Sequence, residues 1–375
     1  MSAKRTADNT VATPLTRRIS VPHTLSALGW TAERTQHLTE LVAARPEFAD
    51  LVPARVSRHD KIRLSTFCEG GELYADVRGR LRTELTKIEK PNVGDWVLLS
   101  TRIDQGQASV EHVLPRTSVI LRNVAGDTTE GQVVAANVDT VLVTVPIDAE
   151  PNPRRLERQL ALVLESGAEA VLVATKVDLG GDFDWMYAAA ANATIVPIDS
   201  LTGRGAEQLT PWLVPGRTVA LIGPSGAGKS TLANCLLGEN LLATGSVREE
   251  DRRGRHTTTW RELVVLPSGA LLIDTPGMRE LSLWDSSEGL AATFTDVEEV
   301  AALCRFNNCS HGNEPGCALR EALADGTLAA DRVESWEKLR SEATEHAART
   351  TARLRIDERK KLPSLGRDSR TRYRP

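Results

Sequence analysis

Three short segments of this 375-residue chain carry the residue types that hold a phosphate chain, a divalent cation and a purine base. Gly223, Pro224, Ser225, Gly226, Ala227, Gly228, Lys229, Ser230 and Thr231 follow the apolar run 218–222 and open a helix-prone stretch. The glycines let successive backbone N–H groups curl toward phosphate oxygens, and a helix N-terminus adds partial positive charge. Lys229 is placed to reach the β- and γ-phosphates, and the Ser230 hydroxyl to ligate Mg²⁺. Further on, Asp274-Thr275-Pro276-Gly277 follows the apolar residues 270–273. Asp274 suits the Mg²⁺ shell, and the Gly277 N–H suits a γ-phosphate whose departure releases the loop. Thr175-Lys176-Val177-Asp178 closes the apolar run 170–174. The Asp178 carboxylate can accept hydrogen bonds from guanine N1–H and its exocyclic amine, a donor pair that adenine lacks, while Lys176 packs over the base. Thr175 stands where Asn is usual, so guanine preference is expected with weaker hydrogen bonding.

Other segments complete the set. Asp199-Ser200-Leu201-Thr202-Gly203 follows 195–198 and offers backbone N–H groups to the guanine oxygen. Ser200 and Leu201 join the nucleotide-binding candidates. Between the phosphate loop and Asp274 lies Gly254-Arg255-His256-Thr257-Thr258-Thr259. One of its threonines, taken as Thr258, completes a Mg²⁺ shell with Ser230 and Asp274. Met278 follows Gly277, and a thioether neither accepts a proton nor donates one. His256 is therefore the candidate for orienting or deprotonating the attacking water.

These segments occur in an unusual order, because the base reader precedes the phosphate loop and the γ-phosphate segment. Chemistry survives such a rearrangement if the strands still assemble side by side. The expected domain is thus a circularly permuted GTPase. The chain after Gly277 leads directly to a second cluster, Cys304-x4-Cys309-x-His311-x5-Cys317. Three thiolates and an imidazole make a closed tetrahedral set for one structural zinc per chain. Gly312, Pro315 and Gly316 permit the tight loop this requires.

The elements that must position these groups fall into distinct textures. Residues 1–50 read as an extension with a short helix. Short alternating runs at 51–56, 62–67, 73–77, 93–99 and 110–114 suit a small OB-type barrel within 51–115, although an SH3-like or purely structural module would look similar. From 116 to 285, buried strands at 138–145, 170–174, 194–198, 218–222, 262–266 and 271–273 alternate with helices at 154–166, 206–213 and after the phosphate loop, an α/β pattern. Residues 286–375 are helix-prone and contain the Cys/His cluster. Val333, Trp336 and Leu339 mark an apolar stripe expected to pack on it.

With 41% hydrophobic residues the chain has ample material for a core, and its net charge of −4 is no signature of nucleic-acid binding. The basic stretch 353–375 suits either a phosphate backbone or a solvated tail. Neither a membrane span nor a secretory leader is evident, so a cytoplasmic setting is expected.

The permuted order, Gly254 to Thr259, the run Asp274 to Leu281, the segments Val93 to Asp95 and Leu114 to Arg116, and the Cys-rich stretch together resemble the RsgA (YjeQ) family of circularly permuted, small-ribosomal-subunit-dependent GTPases. Thr175 and Leu201 depart from that family's usual Asn and Ala. The resemblance implies an OB barrel, a permuted G domain and a C-terminal zinc domain. It also implies a monomer that binds GTP and GDP with Mg²⁺, contacts the 30S subunit and its rRNA late in maturation, and hydrolyses GTP faster on that subunit. Two other functions fit parts of the chain: a P-loop kinase or ATPase with a small-molecule acceptor, and an RNA-binding scaffold with a vestigial nucleotide site.

Overall fold

The computed structural model describes residues 24–59, 63–102, 107–124, 127–190, 193–238, 262–274 and 287–361. Helix α1 (Ala32–Ala44) begins at Thr31, whose side chain accepts a hydrogen bond from the Arg34 N–H. Strands β1 (Val52–His59), β2 (Leu64–Cys68) and β3 (Gly71–Val77), helix α2 (Gly79–Glu84), and strands β4 (Trp96–Arg102) and β5 (Gln107–Val113) follow. They close in the order β1-β2-β3-β5-β4-β1, with β3 and β5 parallel and every other pair antiparallel. This is the five-stranded OB barrel. Its strands start and stop a few residues from the sequence expectation, because pairing partners and not apolar content set strand ends.

The run 96–99 is apolar without alternation because β4 is buried on both sides. Val97 and Leu99 fill the barrel with Val56, Leu64, Ala75 and Val110. Trp96 and Leu98 point the other way, into the main core with Leu28, Val141 and Leu172.

Strands β6 (Val119–Val124) and β7 (Asp127–Ala136) form a hairpin that sequence reading missed. Next come β8 (Thr140–Pro146), α3 (Pro153–Glu165), β9 (Glu169–Thr175), α4 (Trp185–Ala189), β10 (Thr194–Ile198), β11 (Thr218–Ile222), α5 (Lys229–Leu237), β12 (Glu262–Val265) and β13 (Leu271–Asp274). Strands β10, β9, β8, β11 and β13 lie side by side in that order and run parallel, and β12 follows antiparallel to β13, pairing on its other side with β1 of the barrel at Arg58 and Glu262. Helix α3 is started by Asn152, whose side chain accepts from the Arg155 N–H, and by Pro153 at its first position. The helix expected at 206–213 is only a short 3-10 turn, Ala206–Leu209. Pro211 cannot donate to the preceding turn and ends it.

The C-terminal module contains α6 (Ser287–Thr293), α7 (Thr295–Ala301), α8 (Ala318–Asp325) and α9 (Ala330–Lys361). The expected stripe is there: Val333, Trp336 and Leu339 are buried with Leu290, Phe294, Val297 and Cys317. Part of the basic stretch, 353–361, continues α9 as helix. No helix among the described residues is long and apolar enough to cross a membrane.

Barrel, α1 and parallel sheet meet at Asn137, a non-glycine residue with φ 54°. Its side-chain oxygen accepts from Arg34 (2.9 Å) and the Thr117 N–H (3.0 Å), and its side-chain amide donates to the Gly94 carbonyl (3.0 Å). Arg55 of β1, wholly buried, donates to the carbonyls of Leu28 (2.5 Å), Gly94 (3.2 Å) and Asn137 (2.9 Å) and stacks 5.5 Å from the Trp96 ring centre. Burial pushes its pKa down to about 10, which still leaves it charged at neutral pH. Arg55→Met removes the donor to three buried carbonyls. It is expected to cost about 3 kcal/mol, read as a lowered urea midpoint; an unchanged midpoint would mean the junction does not depend on the guanidinium.

Candidate functional site

Parallel strands present all their carboxyl ends at one edge, and every described nucleotide segment lies there. Across the sheet the loops run in the order 199–203 after β10, 175–178 after β9, 147–152 after β8, 223–230 after β11, and the end of β13 at Asp274. The base reader, the phosphate loop and Asp274 thus follow one another across the edge in the order in which they occur in this chain.

The phosphate loop is fixed by its glycines. Gly223 has φ 147°, and a Cβ there would lie 2.2 Å from the Thr144 hydroxyl oxygen and 2.5 Å from the Thr144 carbonyl oxygen. No larger residue fits between the loop and β8. Gly226 (φ 79°) and Gly228 (φ 80°) turn the chain into α5 through a left-handed backbone that other residues rarely adopt. Lys229 folds over the loop, its Nζ donating to the carbonyls of Gly223 (2.9 Å) and Pro224 (2.6 Å). Its ammonium thus lies at the loop's own backbone. Ser225, Ser230 and Thr231 lie on the rim and Ala227 is buried beneath.

Thr175 is buried, and its hydroxyl donates to the Ala227 carbonyl at 2.8 Å. The residue that departs from the usual Asn thus makes a direct tie between base-reading and phosphate loops. Lys176 takes φ 63° and pairs with Asp148 of the β8–α3 loop at 2.8 Å. Val177 packs on the main core and begins a 3-10 turn, Val177–Leu179, that leaves Asp178 exposed at the sheet edge. In the fifth segment Asp199 accepts from the N–H groups of Leu201 (3.0 Å) and Thr202 (3.3 Å) and from the Thr202 hydroxyl (2.5 Å). The Thr202 hydroxyl bond, with the two N–H bonds, holds this carboxyl below the usual range. Of the backbone N–H groups that the sequence offers to the guanine oxygen in 199–203, those of Leu201 and Thr202 are engaged here by Asp199. Ser200 is buried beside it, and Leu201 is exposed. Asp274 ends β13 opposite Glu262. His256, Thr258 and Gly277 lie outside the described residues.

The second site is the Cys/His cluster. The ligand atoms of Cys304, Cys309, His311 and Cys317 lie within 4.8 Å of one another. His311 Nδ1 is 3.6 Å from the Cys304 Sγ and 3.7 Å from the Cys317 Sγ. Tetrahedral zinc at ordinary Zn–S and Zn–N lengths requires S···N separations of about 3.6 Å, so the set fits. His311 attains this pose with φ 60°, and its ring packs edge-on against Trp336 at 5.5 Å. Trp336 in turn donates to Glu298 of α7 (2.9 Å), which binds the cluster to its surrounding helices.

A phosphate loop, a guanine-type reader and a γ-phosphate strand on one parallel sheet, entered in permuted order, define a circularly permuted P-loop GTPase. The chain belongs to the RsgA family of GTPases. The RsgA GTPase family description matches residues 113–284. The small ribosomal subunit biogenesis GTPase RsgA of Opitutus terrae is 42% identical over 367 residues, covering 94% of this chain and 98% of that protein. The protein of the same name from Methanosarcina acetivorans is 40% identical over 293 residues, 77% of this chain and 78% of its own. Among solved structures, YjeQ from Thermotoga maritima superposes with a TM-score of 0.58 at 25% identity, over 78% of this chain and 99% of that one. YloQ, described as a circularly permuted GTPase, gives 0.57 at 21% identity, over 80% and 96%, and speaks to the fold.

Thr175→Val keeps the shape but leaves the Ala227 carbonyl unpaired. Guanine nucleotide affinity is expected to fall about tenfold with little change in melting temperature, measured by titration with a fluorescent GDP. For the cluster, elemental analysis should find one zinc per chain in purified protein, and Cys317→Ser should lose it together with the cooperative unfolding of the C-terminal helices. Full-strength folding without metal would reject the site.

Proposed function

We propose that this protein binds GTP with Mg²⁺ at the shared sheet edge and hydrolyses it as a factor in late maturation of the small ribosomal subunit. The observation that carries the reading is that the carboxyl ends of β9, β11 and β13 lie along one sheet edge, with the segments after β9 and β11 joined by the Thr175 to Ala227 hydrogen bond. Asp178 reads guanine, and the N–H groups of 223–231 with Lys229 hold the phosphates. Ser230, Asp274 and Thr258 hold Mg²⁺, Gly277 senses the γ-phosphate, and His256 orients the water. Zinc at Cys304, Cys309, His311 and Cys317 is structural, since four protein ligands leave no open position. The residue ranges 1–50, 51–115, 116–285 and 286–375 are the working division into extension, barrel, G domain and C-terminal domain. The partner is the 30S subunit with its rRNA, met by a monomer in the cytoplasm. That partner follows from what the relatives' names say of them, combined with barrel, zinc module and basic helix end in one chain.

The kinase or ATPase alternative requires an adenine-tolerant pocket, which Asp178 opposes. GTP turnover by the purified chain is expected to rise on adding small subunits and to stay at the basal rate with large subunits; equal rates in all three would leave a GTPase without this partner. His256→Ala should abolish turnover, stimulated and basal, while GTP affinity stays within about twofold.

A further inference from the structure

Helix α3 serves two sites at once. Side chains advance by about 100° per residue around a helix, which sorts those of α3 into three faces. Leu156, Leu160 and Val163 face the sheet core. Asn152 at the cap, with Arg155 and Gln159, lines an open groove opposite Pro224 of the phosphate loop. The remaining face, Glu157, Ala161 and Glu165, meets the C-terminal module.

That third face is a built joint. Glu157 is buried with both oxygens engaged, one by Arg332 Nη1 at 2.8 Å and the other by the Ser335 hydroxyl. Arg332, also buried, spends its other donors on Asp296 (2.9 Å) and on the carbonyls of Ala189 (3.1 Å) and Thr293 (2.8 Å), and lies 4.6 Å from the Phe294 ring centre. Beside it the backbones touch: a Cβ on Gly289 of α6 would stand 2.3 Å from the Ala161 carbonyl oxygen. Such an interface cannot slide by degrees, because parting the pair strands a buried charge. The rim pairs Arg154–Glu334 and Arg158–Glu342 are partly exposed and add little.

The other end of α3 is tied to the base reader. In the loop leading into it, the Ile147 N–H donates to the Thr175 carbonyl (3.1 Å), and Asp148 holds Lys176 at 2.8 Å. We propose that Glu157 and Arg332 are positioning residues for the nucleotide: docking of the C-terminal module on α3 sets the 147–152 loop, and Asp148 passes that setting to Lys176. Resting on the nucleotide site proposed above, this gives that site a regulator. An event that loosens the module speeds nucleotide release, and bound nucleotide tightens the dock by the same factor.

The test measures release of a fluorescent GDP, and GTP kinetics, on the full zinc-loaded chain carrying Glu157→Gln, Arg332→Met or both, with Glu342→Gln as rim control. Each single variant is expected to speed release and raise KM roughly fivefold or more, with kcat at saturation nearly unchanged. The double variant should be no worse than either single one, because the two side chains act as a unit. Glu342→Gln should behave as the unaltered chain. Lowered melting temperatures with unchanged release, or additive effects in the double variant, would overturn the proposal. Should Arg332→Met not fold, Glu157→Gln keeps the side chain's size and an acceptor for Ser335. Hydrogen exchange on the unaltered chain with and without GDP reads the same link. Protection rising together at 147–152 and 332–336 supports it, and a change confined to the nucleotide loops overturns it. An unaltered chain that fails to bind GDP would instead refute the nucleotide site itself.

Discussion

The structure depends on the parallel pairing of β9, β8, β11 and β13. A parallel sheet gathers the carboxyl ends of all its strands at one edge, so chain order is irrelevant to what those ends assemble. Here Val219 pairs in register with Thr140 on one side and Leu272 on the other, which places the phosphate loop between β8 and the γ-phosphate strand. Permutation changes which loops are covalently joined to neighbouring domains, while the ligand edge stays the same.

Two buried arginines then fix the other domains against this sheet by different means. Arg55 donates its hydrogen bonds to three carbonyl oxygens and lies over the Trp96 ring, so its charge is solvated by backbone dipoles and an aromatic face and the barrel is held by geometry. Arg332 meets two carboxylates as well as carbonyls, so the C-terminal module is held by a charge-assisted network whose parts cannot be removed singly without large cost. The sheet core between them is apolar and supplies burial without direction. The arginine contacts supply the direction.

Much of the site was legible because its chemistry is local. A phosphate loop needs its glycines within a few residues, and a tetrahedral cluster needs close ligands, so Gly223 to Ser230 and Cys304 to Cys317 announce themselves. The hairpin β6–β7 was not legible, since its stability comes from neighbours such as Val93, whose carbonyl accepts from the Ala136 N–H. Strand β4 lacked alternation because both faces are buried, a fact about partners and not about β4. That the Thr175 hydroxyl reaches a carbonyl fifty-two positions away in the chain was not legible either, since the two loops meet only in the folded sheet.

By itself the sequence marked the groups that could do chemistry: a glycine-rich phosphate loop, a guanine-type reader and a Cys/His cluster, each written in residues a few positions apart. Tertiary structure alone decided that Leu201's N–H is turned onto Asp199, that Lys176 is held by Asp148, and that the C-terminal module is seated on α3 through Glu157 and Arg332. Contacts within a loop are fixed by backbone geometry that short patterns encode. Contacts between distant segments are fixed by burial, which belongs to the assembled chain.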